Sequence, residues 1–323
     1  MHEFFSNKTV LVTGAAGFIG SHLCETLLAA GARVYGIDNF LTGRSENTAS
    51  FAHHPNFTFI EADVIKKPTE YLPKELQIDV LLHFASPASP PRYQAHPIET
   101  YLVNTVALHN LLQYLQENSP QARTLFASTS EVYGDPQVHP QPESYWGNVN
   151  PNGIRSCYDE AKRLGETICG VHQRDFKMDV RIVRIFNTYG PRINPTDGRV
   201  IPQFISEALA SKPYTIHGDG TQTRSYCYVS DLVDGILLLA AHQDGNGTTV
   251  NLGNPEEYTI KQTAEVIHQI MHPDTELKIN TLPLPKDDPT RRKPDISYAQ
   301  QLLGWQPKVS FTEGLSKTIE FFK

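Results

Sequence analysis

The most constraining feature of the chain is a junction near its start, where the β-branched, apolar run Thr9-Val-Leu-Val-Thr13 passes straight into Gly14-Ala-Ala-Gly17-Phe-Ile-Gly20 and then into a helical pattern. A run of that character suits a strand buried on both faces. The glycines let the backbone turn tightly and come close to a bound group, and the helix that follows aims its first amides at the same point. A pyrophosphate suits that arrangement. Asp38 ends the next strand pattern, 18 residues past Gly20, where a carboxylate can accept hydrogen bonds from both hydroxyls of an adenosine ribose and repel a ribose phosphate. Together these signals favour NAD over NADP. Arg44 is the opposing signal, because a nearby arginine is what a phosphate-binding variant uses. Asp63, just past a third strand pattern, is placed to bond the adenine edge.

The first half continues in the same alternation. Strand patterns at Thr9–Thr13, Arg33–Asp38, Phe57–Glu61, Val80–Phe84, Thr124–Ser128 and Asp179–Phe186 are interleaved with helix patterns, of which Phe18–Ala30, Ile98–Glu117 and Tyr158–Asp175 are long enough to be crossovers. The implied fold class is α/β, a Rossmann-type doubly wound parallel sheet with a smaller C-terminal substrate-binding lobe. After Asn187 the texture shifts to Pro- and Gly-rich loops, and Tyr226–His242 reads as a strand then a helix that returns to the first lobe. The expected division is 1–187 plus about 225–253 for the dinucleotide-binding lobe, and 188–224 plus about 254–323 for the second.

Composition narrows the partners. With 323 residues, 39% of them apolar, the chain can bury a sizeable core. Its 28 Lys and Arg against 35 Asp and Glu, a net charge of −7, give no expectation of binding nucleic acid or an anionic membrane, so an anionic substrate needs a locally basic pocket. Cys24, Cys157, Cys169 and Cys227 are scattered without the close pairs of metal sites. The expectation is no metal and reduced thiols in a cytoplasm. Met1 to Asn7 is short and polar and leads directly into the first strand, so neither a signal peptide nor a transmembrane segment is expected.

The later part of the first half carries Tyr158-Asp-Glu-Ala-Lys162. Positions four apart share one helix face, so an ammonium there can reach the phenol's neighbourhood and a ribose. A phenol with its ordinary pKa of about 10 is a poor base at neutral pH, and a neighbouring ammonium and a positive nicotinamide ring both favour its ionised form. Taken in order after the glycine turn, Asp38 and Thr129 at a strand end, this pair and the G-x-x-G-x-x-G spacing resemble the extended short-chain dehydrogenase/reductase family.

Five stretches sharpen the likeness: Ser86-Pro-Ala-Ser-Pro-Pro91, Thr129-Ser-Glu-Val-Tyr-Gly134, Arg155-Ser-Cys-Tyr-Asp-Glu-Ala-Lys-Arg163, Asp197-Gly-Arg-Val200 and Asp287-Asp-Pro-Thr-Arg-Arg-Lys-Pro-Asp295. Together they resemble UDP-glucuronate decarboxylases, from Lys8 nearly to the end of the chain. Two departures are Ala161, where many relatives carry Gly, and Glu99–Val103, which is less basic than expected. The resemblance implies a catalytic set of Tyr158, Lys162, Thr129, Ser130, Glu131 and Arg292. It implies NAD contacts from Gly14, Gly17, Phe18, Ile19 and Gly20, from Asp38, Asn39, Phe40, Thr42 and Gly43, from Asp63 and Val64, and from Ala85 and Ser86, besides Tyr158 and Lys162. For the UDP-sugar it implies Asn187, Arg199, Arg224 and Arg292, with Arg192 a weaker candidate near the cleft. A homodimer through the helices Ile98–Glu117 and Tyr158–Asp175 is implied in the same way.

The implied chemistry is internally consistent. Oxidation at C4 of the sugar puts the C6 carboxylate β to a ketone, loss of carbon dioxide leaves an enolate that hydrogen bonds from Thr129 and Tyr158 can stabilise, and protonation at C5 with return of the hydride gives the xylo sugar. Glu131 and Arg292 fall to the carboxylate end, where Glu131 supplies either like-charge strain or a proton relay, and the donor to C5 is open. A 4,6-dehydratase needs an acid for a leaving hydroxyl where this chain has Ser130, and a serine does not serve. A 4-epimerase would leave the Arg292 segment unexplained, and a non-catalytic NAD-sensing protein would have no use for Tyr158 and Lys162.

Overall fold

A computed structural model describes residues 2–284 and 291–323; Asp287 to Thr290 of the last family-like stretch, with residues 285 and 286 and Met1, lie outside the described residues. In chain order the first strands are β1 (Thr9–Thr13), β2 (Arg33–Asp38), β3 (Phe57–Glu61), β4 (Val80–His83), β5 (Arg123–Thr129) and β6 (Asp179–Ile185). They are followed by β7 (Thr188–Tyr189), β8 (Tyr214–His217), β9 (Thr223–Ser225), β10 (Cys227–Tyr228), β11 (Thr249–Leu252), β12 (Glu257–Thr259) and β13 (Ile279–Leu282).

Seven of these form one parallel sheet in the order β3-β2-β1-β4-β5-β6-β11. All five residues of β1 are buried, as a central strand covered on both faces requires. From β1 the chain builds outward through β2 and β3, then crosses back to place β4 on the other side. A crevice opens at that reversal, beyond the carboxyl ends of the strands, and Asp38, Thr129 and the glycine turn all stand there. The remaining strands pair as β7 with β10, β8 with β13 and β9 with β12.

The helices that position the crevice are α1 (His2–Phe5), α2 (Phe18–Ala29), α3 (Pro90–Ala95), α4 (Pro97–Leu102), α5 (Leu108–Asn118) and α6 (Ser156–Phe176). Helix α6 buries Tyr158, Lys162, Gly165, Cys169 and His172 at intervals of three and four residues, so the stripe that docks on the sheet also carries the Tyr and Lys of the motif.

Two expectations are corrected. The lead-in before β1, expected to be polar and to run directly into the strand, is the helical turn α1, with Phe5 wholly buried and the Arg123 guanidinium 4.5 Å above the Phe4 ring. Two aromatic side chains outweigh the polar residues around them. The expected helix Ile98–Glu117 is interrupted by a π-helical turn, Val103–Ala107, between α4 and α5. There the His83 ring bonds the Val103 carbonyl through Nε2 at 2.9 Å, and a side chain inserted into the carbonyl ladder is an ordinary cause of such a bulge.

Candidate active site

The glycine turn owes its shape to sterics. Gly14 has φ of +75°, and a Cβ there would lie 2.8 Å from the Ala85 nitrogen; one on Gly20 would lie 2.0 Å from the Gly14 carbonyl oxygen. No side chain with a Cβ fits either place, so β1 and α2 approach closely and the first amides of α2 open onto the crevice, with no acidic residue in its first turn. A cleft of ≈ 500 Å³ lies against this turn, with a smaller recess of ≈ 70 Å³ that shares Gly14, Gly17, Thr42 and Ser86 with it.

Of the residues expected to hold NAD, Gly14, Gly17, Phe18, Ile19, Gly20, Thr42, Ser86, Tyr158 and Lys162 line the main cleft, while Asp38, Asn39, Gly43, Asp63, Val64 and Ala85 line the recess. The Asp38 carboxylate accepts the amides of Ala16 at 3.0 Å and Phe40 at 2.8 Å, one on each oxygen, which leaves a lone pair on each for ribose hydroxyls. Burial nonetheless pushes its pKa up against those bonds. Arg44 is turned to Glu46, 3.5 Å from its Nε. Phe40 is the exception. It lines neither space: its φ is +57°, its ring stacks on Phe59 at 5.3 Å between centroids, and its amide bonds Asp38.

Beyond β5 the chain enters a 3₁₀ turn, Ser130–Tyr133, whose Glu131 amide is capped by the Thr129 hydroxyl at 3.2 Å. Tyr158, buried on α6, is hydrogen-bonded to the Thr129 side chain. Lys162 donates to the Ala127 carbonyl at 2.6 Å, with its Nζ 5.7 Å from the centre of the Tyr158 ring. The expected lowering of the phenol's pKa by a neighbouring ammonium together with the nicotinamide ring meets an opposing effect from the protein itself. Burial pushes the Tyr158 phenol up from its ordinary value, with the Thr129 bond acting against it, and burial pulls the Lys162 amine down to about 7. Desolvation disfavours the charged form of each group because both sit out of water.

At the far end of the cleft Glu131 stands between two arginines, 2.5 Å from Arg155 Nη2 and 3.4 Å from Arg292 Nη1. Arg292 is fully buried, and its guanidinium donates to the Ser130 carbonyl and, at 2.9 Å, to the Gly134 carbonyl. Burial would raise the Glu131 carboxyl, but Arg292 and Arg155 outweigh it and hold the group well below the carboxylate range. Asp159, on the next position of α6 after Tyr158, moves the other way: burial and then the charge of Glu131 push it up. Asn187, Arg199 and Arg224 line the same cleft, Arg199 paired with Asp197 and Arg224 donating to the Thr223 carbonyl at 2.9 Å. Arg192 also lines it, but its charge is spent on Glu25 at 2.7 Å.

Sequence reasoning missed two residues. Arg155 lies one helical turn before Tyr158 in a stretch already marked as family-like, and that spacing was the available signal. Tyr93, two residues past Pro91, stacks on the Tyr158 ring at 5.0 Å between centroids and 7° between planes. Among the described residues no group of His, Cys, Asp and Glu is arranged to hold a metal ion, and no helix is long and apolar enough to cross a membrane.

Residues 10–253 match the model of the NAD dependent epimerase/dehydratase family. UDP-glucuronic acid decarboxylase 1 of Xenopus tropicalis is 48% identical over 316 residues, covering 98% of this chain and 72% of the relative. UDP-glucuronic acid decarboxylase 6 of Arabidopsis thaliana is 47% identical over 324 residues, covering 99% and 90%. Among solved structures, UDP-glucuronic acid 4-epimerase from Bacillus cereus in complex with UDP-glucuronic acid and NAD superposes with a TM-score of 0.85 at 29% identity, covering 97% of this chain and 98% of that one.

Proposed function

The chain belongs to the NAD dependent epimerase/dehydratase family, and from that premise we propose that it is a carboxy-lyase that converts UDP-glucuronate to UDP-xylose with NAD as its cofactor. The observation that carries this reading is the buried Arg155–Glu131–Arg292 group at the end of the cleft that also holds Thr129 and Tyr158. Oxidation at C4 needs only the Thr, Tyr and Lys. Charge of this density is useful where a substrate carboxylate must be bound and then lost. Relatives named UDP-glucuronic acid decarboxylase, 46–48% identical over nearly the whole chain, support the same reading.

The residues present fit NAD: the glycine turn admits a pyrophosphate against the amides of α2, and Asp38 keeps free lone pairs beside the recess. When bound, NAD supplies the redox chemistry, taking the C4 hydride and returning it. Tyr158 takes the proton of the C4 hydroxyl, oriented by its bond to Thr129. With a ketone at C4, loss of carbon dioxide places the electrons in an enolate, whose oxygen Thr129 and Tyr158 hydrogen-bond. Arg292 and Arg155 meet the C6 carboxylate, with Glu131 ordering them and, once carbon dioxide has left, standing near the carbon that must be protonated. Arg224, Arg199 and Asn187 hold the UDP-sugar, the arginines countering its diphosphate.

The same reading includes two lobes, 1–187 with about 225–253 and 188–224 with about 254–323; the return of β11 to the main sheet and the separate small pairings β8–β13 and β9–β12 support it. It also includes a cytoplasmic homodimer. Four free cysteines suit a reducing compartment, and the exposed apolar side chains Ile98, Tyr101, Val106, Leu164 and Phe176 on α4, the π turn and α6 suit a partner's matching helices. The deciding experiment is incubation with UDP-glucuronate and NMR of the product. UDP-xylose with one equivalent of carbon dioxide is expected; a C4 epimer that keeps its carboxylate would establish an epimerase instead.

A further inference from the structure

Arg292 reaches the site from a part of the chain 162 residues beyond Ser130, whose carbonyl it bonds. Its bonds to the Ser130 and Gly134 carbonyls hold the head of the side chain, while its backbone has to be held by something else. That anchor is Gln141, which is wholly buried. Its backbone N–H donates to the Lys293 carbonyl at 3.0 Å, and its own carbonyl accepts the Asp295 N–H at 3.0 Å. Its side chain completes the clamp: Oε1 accepts the Lys293 N–H at 2.9 Å, and Nε2 donates to the Val138 carbonyl at 2.8 Å. Asn251 ties this to the catalytic turn. Its Nδ2 donates to the carbonyls of Gln141 at 3.0 Å and Asp295 at 3.2 Å, and its Oδ1 accepts the Tyr133 hydroxyl at 2.8 Å.

Gln141 is absent from the lining of the cleft, so this clamp acts on the site only through the backbone it holds. We infer that Gln141 is a positioning residue for carbon–carbon cleavage: it fixes residues 293–295 so that the Arg292 guanidinium stays beside Glu131 and faces the C6 carboxylate. This rests on the role given to Arg292 above. The side-chain amide is needed because the half-buried Lys293 N–H has no other acceptor among the described residues, and a backbone that shifts to find one carries the guanidinium with it. A misplacement of about 1 Å at a reacting group costs on the order of 10²-fold in rate.

The test is rapid mixing of the NAD-bound enzyme with UDP-glucuronate, following reduced-nicotinamide absorbance and carbon dioxide release in the wild type, Gln141→Met, Gln141→Glu, Arg292→Ala and the double variant Gln141→Met/Arg292→Ala. Methionine matches the length of glutamine without its acceptor, whereas glutamate keeps an oxygen for the Lys293 N–H. In Gln141→Met the absorbance should rise at the wild-type rate while carbon dioxide appears about 10-fold to 100-fold more slowly, so that reduced cofactor accumulates. Gln141→Glu, whose carboxyl must be protonated to donate to the Val138 carbonyl as the amide does, should restore part of the release rate, and Gln141→Met should add nothing once Arg292 is gone. If Gln141→Met slows both signals alike, or its effect adds to that of Arg292→Ala, Gln141 is a structural residue and the inference is overturned. If Arg292→Ala accumulates no reduced cofactor, the role of Arg292 itself fails, an outcome visible without any Gln141 variant. Should the methionine variant not fold, Gln141→Leu carries the same comparison.

Discussion

His83 provides a sharp test of how the cleft is held together. It is fully buried at the end of β4, and its Nε2 can only donate to the Val103 carbonyl, 2.9 Å away, so Nδ1 is the acceptor for the Thr13 hydroxyl at 2.8 Å. The same Thr13 oxygen accepts the amides of Phe84 at 3.1 Å and Ala85 at 3.2 Å. A proton on Nδ1 would present a donor to an oxygen whose lone pairs are taken. Burial lowers the His83 pKa from 6.5 to about 4, so the unfolded chain binds this proton more readily than the folded one. The neutral ring therefore contributes stability that is fully present above pH 6.5 and is lost as pH falls toward 4. The loss from this group comes to about 2 kcal/mol at pH 5 and about 3 kcal/mol at pH 4. Urea unfolding at pH 7.5 and pH 5.0 measures it, with His83→Gln as the comparison, since an amide replaces the ring without a titrating proton. The wild type should lose about 2 kcal/mol more than the variant between these pH values. Equal losses in the two proteins would refute the reasoning and move the acid sensitivity elsewhere.

Three further outcomes follow from the site. Tyr158→Phe should retain the fold and bound NAD, verified by circular dichroism and by cofactor release on denaturation, while turnover of UDP-glucuronate falls by roughly 10²–10⁴; near-normal turnover would remove Tyr158 as the base. Glu131→Gln keeps the shape between Arg155 and Arg292 but removes the charge that orders them, so reduced-nicotinamide absorbance should appear on rapid mixing before carbon dioxide, which is released slowly or not at all; a limiting absorbance rise followed by prompt release would place Glu131 in substrate positioning alone. Arg224→Ala should raise KM for the UDP-sugar with kcat little altered, because a diphosphate contact is the same in ground and transition states; steady-state kinetics showing the reverse pattern would count against it.

Much of this is legible in the sequence. Glycine at positions 14 and 20 is a local requirement of a tight strand-to-helix turn, Asp38 ends a strand whose apolar period is plain, and the four-residue interval from Tyr158 to Lys162 is a property of any helix. Such signals depend on neighbours in sequence, and the sheet, the NAD recess and the Thr–Tyr–Lys group followed from them. Glu131 and Arg292 came instead from resemblance, since nothing in their own surroundings in sequence distinguishes them from a strand-end acid and a solvated basic run.

What the tertiary structure alone decided is everything that depends on what stands opposite a buried face. Periodicity reports that a side chain is turned inward, and is silent about the atoms it meets there. Packing turned the Phe40 ring away to Phe59, opened a π turn where His83 bonds Val103, and brought residues 131, 155 and 292 into one charged group. It also added burial to the electrostatics of Tyr158 and Lys162, because desolvation belongs to the assembled surroundings and not to the spacing of two residues on a helix. The Gln141 clamp on the Arg292 segment is of the same kind: its hydrogen bonds join backbone groups some 150 residues apart, a pairing that no local pattern encodes and that only the closed fold creates.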